Sequence, residues 1–202
     1  MNELSAPSRL PALLALLAAL LLAACGQGGD GARPPLEGAR IGGPFTLTDQ
    51  TGAKVSDTDF AGRYRLIYFG FTYCPDVCPT DMQAIGAAMR RLEQSDPDRA
   101  ARVQPIFISV DPERDDPATV RQFVSAFHPR FVGLTGSPEE IAGVARAYGV
   151  YYARQGDAAS RDYLVDHSRM AVLMGPEGQP IVLLPHEQGP DAIVAELQRW
   201  VR

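Results

Sequence analysis

Arg65-Leu-Ile-Tyr-Phe-Gly-Phe71 is a nearly continuous apolar run, the pattern of a strand buried on both faces. After it, Met82, Ile85, Met89 and Leu92 recur at helical spacing, and Pro79 has the fixed torsion suited to a first helical turn. Val103 to Val110 repeats the strand pattern, and Asp116-Pro117 opens a helix whose apolar stripe is Val120, Phe123, Val124 and Phe127. A short strand is predicted at Phe131 to Leu134. Ser137-Pro-Glu-Glu140 then forms a capping box for a helix carrying Ile141, Val144, Ala145 and Tyr148, which stops at Gly149.

At the front of this alternation, Phe45 to Thr48 and Val55 flank the turn Asp49-Gln-Thr-Gly52 and predict a hairpin. Behind it, Gln155 to Asp162 is polar and predicts a loop. Tyr163 to His167 and Met170 to Met174 follow as strand, Gly175 to Gly178 as a turn, and Gln179 to Leu184 as the return strand. A last helix starts near Gly189-Pro190 and buries Ile193, Val194, Leu197, Trp200 and Val201. Parallel βαβ units followed by a hairpin and a helix predict an α/β fold. The expected architecture is a thioredoxin-like sandwich with an amino-terminal hairpin and a terminal β-hairpin plus helix.

Residues 10–24 form an apolar stretch after Arg9, shorter than the roughly 20 residues a bilayer span needs. Its ending, Leu22-Ala23-Ala24-Cys25, matches the bacterial lipobox, so residues 1–24 are expected to be a lipoprotein signal peptide and Cys25 the lipidated residue. Gly, Pro and isolated charges up to residue 42 suggest a flexible linker, leaving residues 43–202 as one domain able to bury its own core. The expected location is outside the cytoplasm, anchored through lipid to a bacterial membrane and facing the periplasm or cell exterior. The net charge is −5, with a single lysine at Lys54 and no cationic block, which argues against a nucleic-acid partner.

Besides Cys25, the cysteines are Cys74 and Cys78, at the junction between the Arg65–Phe71 strand and the following helix. Four residues apart, both sulfurs can face one ion, and the same spacing allows a disulfide or a redox pair. A helix amino terminus favours thiolate, the form that attacks disulfides and binds soft metals. Of the three histidines, His128 and His186 adjoin prolines near element ends and read as surface positions. His167 instead interrupts a strand pattern beside Asp166 and Ser168. In the expected fold the hairpin that carries it packs next to the cysteine corner, and two thiolates with one imidazole make a soft set suited to Cu(I), or with added ligands to Cu(II). Structural zinc would ask for a fourth protein ligand, which the chain does not supply convincingly. Asp76 and Asp81 flank the thiols and read as solvated helix-start residues that suit the dipole.

Three blocks, Phe69-Gly-Phe-Thr-Tyr-Cys-Pro-Asp-Val-Cys-Pro-Thr80, Ser109-Val-Asp-Pro-Glu-Arg-Asp115 and Asp166-His-Ser168, together resemble the Sco/SenC family in order and spacing. The resemblance covers roughly Gly43 to Arg202. It implies a copper chaperone that assembles the dinuclear copper centre of cytochrome c oxidase subunit II, with Cys74, Cys78 and His167 as copper ligands. Asp111 falls where the family carries an acidic residue near the metal, although a turn-forming Asp before Pro112 explains it equally. The implied partners are the oxidase subunit or another copper-receiving protein, a periplasmic copper donor, and a thiol reductant. Two features depart from the family pattern: Val172 stands where many members carry an aromatic residue, and the anchor is lipid where a membrane helix is usual. The competing function is a thiol-disulfide oxidoreductase using the same two cysteines. That reading leaves His167 without a role, and the spacing of three residues departs from the two usual in such enzymes.

Overall fold

The computed structural model describes residues 32–156 and 162–202. The expected signal peptide, Cys25, the first part of the expected linker and residues 157–161 of the predicted loop lie outside the described residues. The chain divides into two units, residues 1–33 and Pro34–Arg202, and every described strand and helix belongs to the second.

Two apolar runs make the centre of the sheet. β3 (Tyr64–Gly70) and β4 (Val103–Ser109) lie side by side in parallel, with Ile67 opposite Ile106 and Tyr68 opposite Phe107. Both strands are buried over almost their whole length, which is why they read as continuous apolar runs without alternation. β5 (Val132–Thr135) joins β4 in parallel, and β1 (Thr46–Asp49) and β2 (Lys54–Ser56) extend that edge antiparallel as the predicted hairpin. On the other side β8 (Ala171–Met174) pairs antiparallel with β3, and β9 (Pro180–Leu183) closes the sheet. The seven strands run in the order β2-β1-β5-β4-β3-β8-β9.

The helices are α1 (Val77–Ser95), α2 (Pro97–Ala101), α3 (Pro117–Ser125), α4 (Pro138–Tyr148) and α5 (Pro190–Trp200). Neighbouring residues of a strand point to opposite faces. Tyr68 accordingly reaches Asp81 on α1, while the Phe69 ring meets Tyr148 of α4. The two helices therefore cover opposite faces, as a thioredoxin-like sandwich requires. Start and stop signals act as the sequence suggests: Asp116 accepts from the Thr119 amide, Ser137 and Glu140 form a reciprocal box, and Gly149 ends α4 at φ +68°.

Three expectations need correction. Tyr152–Gln155 is a strand, β6, where the sequence suggested only a turn and a loop. It pairs with β7 (Leu164–His167) in a two-stranded ribbon separate from the main sheet, so His167 is not carried by a strand of that sheet. The described end of the expected linker is fixed, because the Leu36 amide bonds to Ile181 and Leu36 and Ile41 pack against the core. His128 and His186, expected at the surface, are both buried. His128 lies against Glu93 at 3.2 Å, and His186 donates from Nδ1 to the Leu184 carbonyl.

Candidate metal centre

The cysteine corner is built by the end of β3. Gly70 lets α1 approach closely, since a Cβ there would sit 2.9 Å from the Tyr68 ring and 3.0 Å from Cys78 Sγ. The chain then turns through Phe71-Thr72-Tyr73, and Asp115 anchors this turn from β4's side. Its carboxylate accepts from the Thr72 amide at 2.9 Å, from Thr72 Oγ1 at 2.6 Å and from Ser109 Oγ at 2.5 Å. Cys74 precedes α1 and Cys78 occupies its first turn, where its amide donates to Cys74 Sγ at 3.4 Å. Both thiols are free.

His167 arrives from the β6–β7 ribbon and brings Nε2 to 3.3 Å from Cys78 Sγ. Its Nδ1 lies 3.0 Å from the Ser168 carbonyl. A carbonyl only accepts, so Nδ1 carries the proton and Nε2 offers its lone pair toward the sulfurs. The Phe71 ring meets the imidazole edge-on at 5.7 Å. One ligand atom from each of Cys74, Cys78 and His167 lies within 4.8 Å of the others, the one such cluster among the described residues. Cys78 is fully buried, while Cys74 keeps 8% of its surface and His167 is half-buried, so the site opens on the Cys74–His167 side.

Burial pushes the Cys78 thiol up to about 12, and the neighbouring Cys74 adds to the effect. Desolvation therefore outweighs the helix dipole, and the expected thiolate at the start of α1 is a thiol at Cys78 while no metal is bound. Burial also lowers His167 below the ordinary histidine value, which keeps the imidazole neutral and able to donate its lone pair.

Asp111 is not among the three clustered residues. Its carboxylate accepts from Tyr163 Oη at 2.6 Å and from Arg114 Nε at 2.6 Å. Arg114 in turn lies over the rings of Phe71, Tyr73 and Tyr163, so Asp111 touches the cysteine loop through this guanidinium.

Asp76 is exposed as expected, but Asp81 is 1% exposed and far from solvated. Tyr68 Oη donates to it at 2.8 Å, Arg169 donates from Nε and Nη2 at 3.1 and 2.6 Å, and His186 Nε2 approaches to 3.4 Å. Burial alone would raise its pKa, but His186, Arg169 and Tyr68 together hold the carboxyl below the usual carboxylate range. One signal for it was present in the sequence. Asp81 follows Cys78 by three residues and shares a helix face with Met82, Ile85 and Met89, where an acid needs a buried partner.

Residues 33–202 match the family model described as SCO1/SenC. The chain belongs to the SCO1/SenC family. It is 48% identical over 139 residues to the Arabidopsis thaliana protein named SCO1 homolog 1, mitochondrial, covering 69% of this chain and 40% of that protein. It thus spans less than half of that relative's length. Among solved structures, copper-bound ScoI of Bradyrhizobium japonicum is 42% identical with a TM-score of 0.71, over 79% of this chain and 99% of that one. BsSco, described as having a disulfide switch and as a member of the Sco family of cytochrome c oxidase assembly proteins, is 25% identical with a TM-score of 0.62. That match covers 80% of this chain and 94% of BsSco.

The expected location does not stand. The Arabidopsis, mouse and human relatives are all named mitochondrial, which overturns the expectation of a lipid-anchored protein on a bacterial membrane. Among the described residues, no helix is long and apolar enough to cross a membrane.

Proposed function

We propose that this chain is a copper-binding metallochaperone, in which Cys74, Cys78 and His167 hold a copper ion and hand it to the dinuclear centre of cytochrome c oxidase subunit II. The convergence of two sulfurs and a neutral imidazole nitrogen within 4.8 Å carries the reading. The three donors come from two separate parts of the chain, and the Nε2 lone pair of the half-buried His167 faces the Cys78 thiol. A set of two soft sulfurs and one nitrogen suits Cu(I) and leaves room for an incoming ligand. The copper held by Bradyrhizobium ScoI supports the choice of metal, and the assembly role of BsSco supports the target.

The chemistry is ligand exchange. Copper entry displaces the Cys78 proton, and His167, being neutral, gives up none near pH 7. A thiolate or thioether of the receiving protein then adds on the open side beside Cys74, before a resident ligand leaves. A copper donor upstream and a reductant that keeps the thiols reduced complete the cycle.

The test is titration of the reduced protein with Cu(I) and Cu(II), repeated with His167→Ala, followed by transfer to the copper domain of subunit II. Unchanged affinity and spectra in the variant would sink the three-ligand site, and failure of transfer would sink the target. A second reading, thiol-disulfide oxidoreductase, is favoured by the two free thiols with Cys74 on the accessible side. Copper-free turnover of protein disulfides that survives His167→Ala would decide for it.

A further inference from the structure

We propose that Asp81 and Arg169 are positioning residues, forming a clamp that holds His167 against the cysteine pair; this rests on the metal-binding reading of the site. β7 pairs with β6 and not with the main sheet, so backbone bonding within the ribbon leaves the distance from His167 to α1 undetermined. Ser168 bonds back to Tyr151, again within the ribbon's own side. The chain regains the main sheet only at Met170, whose carbonyl accepts from the Phe69 amide. Between these points stands Arg169, two residues beyond His167, gripping with two parallel hydrogen bonds a carboxylate three residues beyond Cys78.

Such a fork fixes orientation as well as distance. The carboxylate is itself held from below by Tyr68 of β3, so the clamp ties ribbon, helix and sheet at one atom group. Arg169 also reaches Glu187 at 3.0 Å.

Arg169→Gln is the primary test, because Arg169 is partly exposed and its loss leaves Asp81 bonded to Tyr68. Asp81→Asn is the second. In the copper-free, reduced proteins, NMR contacts between the His167 and Phe71 rings and amide exchange over residues 164–169 report whether the ribbon stays docked. Cu(I) affinity and the nitrogen hyperfine pattern of the Cu(II) form report ligation. We expect weakened ring contacts, faster exchange, roughly tenfold weaker copper binding and partial loss of the nitrogen signature in Arg169→Gln. Retention of the ring contacts and exchange rates of the parent would overturn the clamp, even with lowered overall stability. If the parent itself binds no copper, the metal-site reading fails, while the copper-free NMR comparison still decides the clamp.

Discussion

Copper binding should become tighter as pH rises, and Cys78 sets how much. Its thiol is pushed up to about 12, against an ordinary 9.0, so burial and the neighbouring Cys74 together add about 4 kcal/mol to the cost of forming the thiolate. Throughout pH 6 to 8 the free site therefore carries this proton, and copper must expel it. Each pH unit then favours binding by a factor of about ten from Cys78 alone. His167 adds to the pH dependence only at the acid end, because its lowered pKa leaves it already neutral above that value. The assay is competition against a chromophoric Cu(I) chelator at pH 6, 7 and 8, corrected for the chelator's own protonation, for the parent and for Cys78→Ser. The logarithm of the parent's affinity should rise by at least one per pH unit, and the variant's slope should be lower by one. Equal slopes would mean that Cys78 gives up no proton to copper, and the reasoning from burial to affinity would be wrong.

Gly70→Ala puts a methyl within 3.0 Å of both the Tyr68 ring and Cys78 Sγ, and should cost about 1–3 kcal/mol in urea unfolding while weakening copper binding. Asp115→Asn leaves one of three donors, on half-buried Thr72 and buried Ser109, facing an amide NH2. A loss of about 1–3 kcal/mol is expected, read as a lower urea midpoint with unchanged m-value. Asp81 has a folded pKa below its unfolded value, so its stabilisation is complete above about pH 4 and fades as pH falls toward the folded value. The stability gap between the parent and Asp81→Asn, followed by denaturant titration from pH 6 to 3, should accordingly narrow below pH 4.

The strands and helices that were legible are those whose pattern has one cause. β3 and β4 are buried on both faces and show unbroken apolar runs, while α3 and α4 carry an apolar stripe behind a capping residue. β6 escaped notice because Tyr152-Ala-Arg-Gln155 is half exposed and pairs only within a ribbon, so neither alternation nor an apolar run marks it. Cys74, Cys78 and His167 stood out by residue type and by their place at element junctions. Asp81 did not, because an acid in a helix's first turns is ordinarily solvated. Its burial depends on Arg169 and His186, which are brought to it only by the closed fold. The same holds for Cys78: local position predicts a helix dipole, but the buried sulfur sits where a Cβ on Gly70, in the strand beneath it, would come within 3.0 Å.

Cys78 and His167 stand 89 positions apart in the chain yet touch. A growing or partly unfolded chain, in which that contact has not formed, therefore presents only a dithiol. Metal capture at full strength would thus report that the chain has finished folding. An ion held by all three donors would also close a long covalent-like loop, adding RT ln(1 + [L]/Kd) to the stability of the folded form and slowing proteolysis of the loaded protein relative to the empty one.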